Sequence, residues 1–171
     1  HKFAFYSPVH TSYSATAPLK EKAGQSSRRR YMDKLHTSHE AVLHTMINVF
    51  TRGSYAQPHT HLLITSSGEE IRKDESFLVL EGRGKVITFH PSGKVDQVIP
   101  LDSSKATMVW IPAGICHTVI ATSNFLVLFE NKTGPWKEGE DKVFHPCFPA
   151  EGEEGVDELL SEWETLKEGS A

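Results

Sequence analysis

The chain has little that would tie it to several large classes of protein. Two cysteines among 171 residues, Cys116 and Cys147, are too few for a disulfide framework, although a single bridge between them is compatible with the sequence. No apolar run is long enough to span a bilayer, and the opening HKFAFYSPVH lacks the apolar stretch of a secretory leader. The chain opens on His1 without methionine, as a trimmed or tagged chain would. With these signals missing, the expected compartment is the cytoplasm. The formal net charge of −4 gives no electrostatic footprint for nucleic acid, and none is expected as a partner. Internal repeats and low-complexity tracts are also missing. What remains is 38% hydrophobic residues over a length suited to one domain with a real core.

Three textures follow one another along the chain. Residues 1 to about 27 carry Ser, Thr, Ala and Pro with little periodicity, which predicts an irregular N-terminal arm, taken as residues 1–35. From Ala41 onward, short β-branched and aromatic runs alternate with turn residues. AVLHTMINVF, SFLVLEG, RGKVITF, KVDQVIPL, TMVWIP, HTVIA and NFLVLFENK read as strands, with EGRG and HPSG as hairpin turns. Many short, closely spaced strands predict an all-β barrel or sandwich over residues 36–150. After Gly134 acidic residues dominate. Within VDELLSEWETLKEG, Val156, Leu159, Leu160, Trp163 and Leu166 fall at helical spacing, so residues 151–171 are expected to end in an acidic amphipathic helix. That helix would pack on the barrel, or else serve a partner.

One cluster stands out chemically. In GSYAQPHTH, His59 and His61 are two residues apart, so on a strand both rings project from one face. Glu75 opens the apolar run ESFLVLEG, and His117 closes PAGICH. Three imidazoles and one carboxylate from separate strands suit a divalent first-row metal. Four protein ligands on an octahedral ion would leave two positions for water or substrate.

The patterns G-x5-H-x-H, E-x6-G and P-x-G-x2-H resemble the signature of the cupins, small jelly-roll β-barrels holding a metal at the centre. The resemblance implies His59, His61, Glu75 and His117 as ligands. SRRRYMDKLHTS, INVFTRGSYAQPHTH, ESFLVLEGRGKVITF, IPAGICHTVIA, LFENKTGPW and DKVFHPCFPAEGE, in that order, are together similar to the WbuC family of cupin-fold metalloproteins. That match runs from about Arg28 to about Glu153. The family's reaction is not established, and some members are associated with surface-polysaccharide genes. Two departures are visible. LLITSSGEEIRKD intervenes between the histidines and Glu75, which makes Glu69 and Glu70 rivals on spacing and adds a loop that is either a tolerated insertion or a lid. Ala121 also stands where cupins often carry asparagine.

The fold class expected is therefore an all-β cupin barrel with an irregular N-terminal arm and a C-terminal α-helix. It would hold one divalent transition metal: Zn, Fe, Mn, Ni or Co. Arg28 and Arg30, with His36 and Tyr55, form a candidate substrate-binding group, because arginine forks carboxylates and phosphates in a bidentate way. Two functions fit. One is a metal-dependent isomerase, lyase or dioxygenase acting on a small polar or anionic, sugar-related metabolite. The other is a non-catalytic sugar- or metabolite-binding module with a structural metal. Cys116 should face away from the metal as a buried thiol, and Phe77, Tyr55, Trp110 and Phe129 should be mostly core. A homodimer would cover exposed jelly-roll edges.

Overall fold

The computed structural model describes residues 8–12 and 15–170. Residues 1–7, 13 and 14 of the expected arm lie outside them. The first element is α1 (Thr16–Gln25), followed by β1 (Arg30–Lys34) and β2 (Leu43–Thr51). The expected irregular arm thus contains a helix. Pro18 sits in its first turn, where a missing N–H costs no intrahelical bond. Leu19 and Ala23, four residues apart on one face, pack on Ile47, Val49 and Val127. β1 pairs along its whole length with β2, from Arg30↔Phe50 to Lys34↔Met46, so the main sheet already begins within the expected arm.

Short strands β3 (His59–Thr60), β4 (Leu62–Ile64) and β5 (Glu70–Arg72) precede the long β6 (Glu75–Phe89). Then come β7 (Val95–Asp102), β8 (Met108–Ile111), the long β9 (Cys116–Thr133) and β10 (Val143–Phe144). The chain closes with α2 (Val156–Thr165) and β11 (Gly169–Ser170). The main sheet runs β1-β2-β9-β6-β7-β11, with β8 on β6 and β3 between β9 and β10. Residues 62–74 form the separate β4–β5 hairpin, so the insertion between the histidines and Glu75 is a structured excursion.

Two long strands organise the barrel. The first half of β6 pairs with β8 and the end of β9, and its second half pairs with β7 and the start of β9. EGRG is therefore no hairpin. It lies within β6, where the register with β9 shifts between Val79 and Glu81 and again between Gly82 and Gly84. Such bulges bend a strand without ending it. A Cβ on Gly82, at φ +82°, would lie 2.0 Å from the Phe125 carbonyl oxygen, and one on Gly84 would lie 2.3 Å from that of Ile120. Only glycine permits this approach. HTVIA and NFLVLFENK are likewise one continuous strand, β9, whereas HPSG is a turn joining β6 to β7.

Phe50, Phe77, Val79, Val86, Leu101, Val119, Leu126 and Leu128 fill the centre of the barrel. A second cluster forms where α2 docks. Trp163, 2% exposed, meets Tyr55, Phe89 and Phe148. Lys85 Nζ donates to the carbonyls of Trp163, Glu164 and Leu166, placing a cation at the C-terminal end of that helix. Cys116 is buried in this second cluster, away from the histidines, and burial pushes its thiol up to about 11. Cys116 and Cys147 are both free thiols. Trp110 departs from expectation: it is 65% exposed on β8, because its register partner Ser76 lies on the outer face of β6. No helix among the described residues is long and apolar enough to cross a membrane.

Candidate metal centre

Strand pairing brings the histidines together. His59 on β3 lies directly opposite His117 on β9, and His61 follows two residues later on the same face. The ligand nitrogens of His59, His61 and His117 lie within 4.8 Å of one another. All three rings are buried, as is Glu75 at the start of β6.

The outer nitrogen of each ring is already used. Nδ1 of His59 donates to the Gln57 carbonyl at 2.8 Å, and Nδ1 of His117 to the Ile115 carbonyl at 2.9 Å. Both anchors are the carbonyl two residues back. Nδ1 of His61 donates instead across the fold, to the Asp141 carbonyl at 2.6 Å. Such an anchor orients each ring so that Nε2 faces the cluster, where it could ligate a metal in place of a proton. Nε2 of His117 lies 2.8 Å from Glu75 Oε1. Nε2 of His61 lies 3.0 Å from Glu75 Oε2 but makes no hydrogen bond. A buried nitrogen left this way is costly without a partner, and a cation between the rings and the carboxylate would supply one. The donor set and its anchoring fit a divalent transition metal.

The electrostatics point the same way. Burial, then Lys142, hold the His59 ring well below its usual range, so it is a neutral imidazole suited to ligation. Burial alone would raise the Glu75 carboxyl, yet His117 and His61 hold it well below the usual carboxylate range. Burial opposes charge on His117, but Glu75 raises it overall.

The centre opens into a cavity of about 190 Å³ whose lining includes Arg28, Arg30, Glu130, Lys132 and Lys142. Glu130 is fully enclosed. Burial, then the charge of Glu75, push its carboxyl up to about 8, and it accepts a hydrogen bond from Asn48 Nδ2. Asp141 holds Lys132 at 3.1 Å and Lys73 at 3.4 Å. The sequence reading missed Glu130, Lys132 and Asp141. The first two had a signal: Leu126, Leu128, Glu130 and Lys132 share one parity on β9, so two charged residues continue an inward-facing apolar row. Asp141 and Lys142 open the motif DKVFHPCFPAEGE, but they lie on an irregular segment with no periodicity to point them at the cavity.

The expected substrate group divides. Arg28 and Arg30 reach the cavity, but both are engaged by Glu151, which Arg30 grips through two nitrogens at 2.7 and 2.9 Å. His36 lies in an adjoining chamber, stacked on His44 with ring centroids 4.0 Å apart. Tyr55 is not at the centre: its ring packs against Trp163 and its hydroxyl donates to the Pro149 carbonyl at 2.8 Å. The rival glutamates Glu69 and Glu70 are exposed at the β4–β5 hairpin, away from the histidines.

A family model described as "Domain of unknown function (DUF6016)" matches residues 12–101. No curated protein matches the sequence. Among solved structures, the capsular polysaccharide assembling protein CapF from Staphylococcus aureus is 19% identical, with a TM-score of 0.54 over 82% of this chain and 32% of that one. A second crystal form of CapF is 20% identical, with a TM-score of 0.51 over 66% of this chain and 31% of that one. An RmlC-like cupin protein from Desulfovibrio desulfuricans is 18% identical, with a TM-score of 0.41 over 63% of this chain and 85% of that one. The chain thus spans about a third of the CapF chains it matches, and what it shares with them is a fold. With its bent long strands and buried histidine cluster, this is a cupin barrel, and the chain belongs to the family described as "Domain of unknown function (DUF6016)".

Proposed function

We propose that the chain is a metal-dependent enzyme acting on a small polar or anionic, sugar-related metabolite. His59, His61, Glu75 and His117 would hold one divalent ion of Zn, Fe, Mn, Ni or Co. One observation carries the reading. Three buried rings each spend Nδ1 on a backbone carbonyl, their ligand nitrogens lie within 4.8 Å of one another, and those of His61 and His117 lie 3.0 and 2.8 Å from one buried carboxylate. When bound, the ion supplies Lewis acidity toward a substrate oxygen.

The chain's own residues favour catalysis over a purely structural metal. Glu130 faces the same cavity, and in the metal-free protein burial, then the charge of Glu75, raise its carboxyl to about 8, which makes it the candidate proton donor beside the site. Lys142 adds an ammonium to the lining, and Arg30 adds a guanidinium held by Glu151. A sugar-related substrate is supported by the shared fold with CapF, described as a capsular polysaccharide assembling protein. The ordered motifs from Arg28 to Glu153 support placing the chain with the WbuC cupins.

The test is elemental analysis of protein purified without an affinity tag, beside the His59→Ala/His61→Ala double variant. About one equivalent of metal is expected in the wild type and none in the variant. Wild-type protein that carries no metal and takes up none from added divalent ions overturns the reading. Metal retained with no exchangeable solvent on it would make the site structural rather than catalytic.

A further inference from the structure

The cavity at the histidines adjoins a larger one. This outer chamber, about 410 Å³, shares Arg28, Met32, Lys132 and Lys142 with the inner one. Its lining also includes Lys34, His39, Trp136 and Asp141. Four cationic side chains, Arg28, Lys34, Lys132 and Lys142, thus face one carboxylate, that of Asp141, in a chain whose net charge is −4. The local sign opposes the overall one, which marks a site for an anion.

These cations are not equivalent. Arg28 is tied to Glu151 at 3.0 Å and Lys132 to Asp141 at 3.1 Å. Lys34 Nζ lies 3.3 Å from His39 Nε2. Lys142 makes no hydrogen bond or ion pair among the described residues, yet it lines both chambers. Lys142 is an exposed residue at the cavity, and desolvation, then Lys132, lower its pKa. Glu75, Asp141 and Glu130 act on it only at a distance, so its three donors are open to a ligand's oxyanion. The position is well defined, because Lys142 lies between two anchors. The Asp141 carbonyl accepts from His61, and β10 pairs Val143 with Thr60 and Phe144 with His59. Trp136, half-buried and edge-on to His39 at 4.8 Å, adds an aromatic wall suited to the apolar face of a sugar ring.

We infer that the two chambers together take an elongated polyhydroxy ligand bearing an oxyanion, a sugar acid or a sugar phosphate, with the anion on Lys142 and the other end at the histidine cluster. This rests on the proposed metal-dependent reading for the inner end only. Lys142 is the specificity-determining contact, flanked by Lys132 and Arg28.

The test is calorimetric titration of the full chain, metal-free and metal-loaded, with galacturonate, glucose 6-phosphate and neutral galactose. Wild type, Lys142→Met and Lys142→Arg are compared, with folding checked by circular dichroism and metal content by elemental analysis. At least one of the two anions should bind the wild type, and the tighter one identifies the oxyanion. Lys142→Met should weaken it about tenfold or more, as loss of a charge-assisted hydrogen bond does. Lys142→Arg should retain most of the affinity, and galactose should bind weakly and indifferently to Lys142. Equal anion affinity in wild type and Lys142→Met at unchanged metal content overturns the inference, as does failure of both anions to bind. Lys142-dependent anion binding by a protein that takes up no metal upholds this inference and overturns the metal reading instead.

Discussion

The Asp141 carbonyl oxygen accepts a 2.6 Å hydrogen bond from Nδ1 of His61, while the Asp141 side chain holds Lys73 and Lys132. One residue of an irregular segment therefore orients a candidate ligand with its backbone and bridges two buried ammonium groups with its carboxylate.

Asp141→Ala should be strongly destabilising, by about 3–5 kcal/mol, because it leaves Lys73 and Lys132 buried without their anion. Lys132, then His61, hold the Asp141 carboxyl below its ordinary range despite burial. A depressed carboxylate stabilises the fold above its unfolded-state pKa, and that stability is lost as pH falls through the folded value. Urea denaturation at neutral and acidic pH should show the wild type and Asp141→Ala converging toward low pH. Equal stability at neutral pH would remove the carboxylate's assigned role.

Glu130 gives the opposite sign in metal-free protein. Its carboxyl lies at about 8 in the folded state against 4.5 for the free group, so the folded state keeps a proton that the unfolded state has lost. Its contribution is fully present below the unfolded value and is lost as pH rises toward 8. Glu130→Gln keeps an acceptor for Asn48 and cannot ionise, so it should flatten the decline in melting temperature from mildly acidic to mildly alkaline pH. Parallel curves for the two proteins would mean that Glu130 ionises normally.

Gly82→Ala should damage the barrel more than an ordinary strand glycine would. The left-handed backbone alone costs about 1–2 kcal/mol for an alanine, and the new methyl would meet the Phe125 carbonyl on β9. Gly68→Ala, on an exposed turn at φ +83° with nothing within 4 Å, carries the backbone cost without the collision. Thermal melts should rank the two, with Gly82→Ala lower.

Trp163→Ala should cost about 3–5 kcal/mol, as expected for an aromatic removed from a packed cluster. Deleting residues 155–171 should lower the stability of the monomer, because it uncovers Tyr55, Phe89 and Phe148 and frees Lys85 from three carbonyls. A truncated chain that melts like the full one and differs only in self-association would reassign the helix to a partner.

Legibility in the sequence followed the range of the physics. Alternation at the C-terminal end of β9, from Leu128 to Lys132, and the two-residue spacing of His59 and His61 are local, and they place a face before any pairing is known. The same local reading turned EGRG into a hairpin, because a bulge and a turn use the same glycines. Only the approach of Gly82 to Phe125 and of Gly84 to Ile120 distinguishes them. The α1 helix was hidden because the apolar part of its packing face is just Leu19 and Ala23, with Thr16 beside them. Tyr55 sits four residues before His59, whereas the partners that claim it, Pro149 and Trp163, lie about a hundred residues away. Glu130 was readable by parity. Asp141 and Lys142 depend on a chain reversal that carries no periodic signal.

The clip between residues 141–144 and the histidine strand also constrains how relatives of this protein can diverge. The segment that carries the free lysine is the one whose backbone fixes His61 and pairs with His59. Lys142 can change to suit a new ligand, but the Asp141 carboxylate, which holds two buried lysines, and the path of the main chain cannot, since moving that chain would unseat two candidate ligands at once. New specificities on this scaffold should therefore arise by substitution within residues 137–148. Insertions should gather in the β4–β5 hairpin, whose strands pair only with each other.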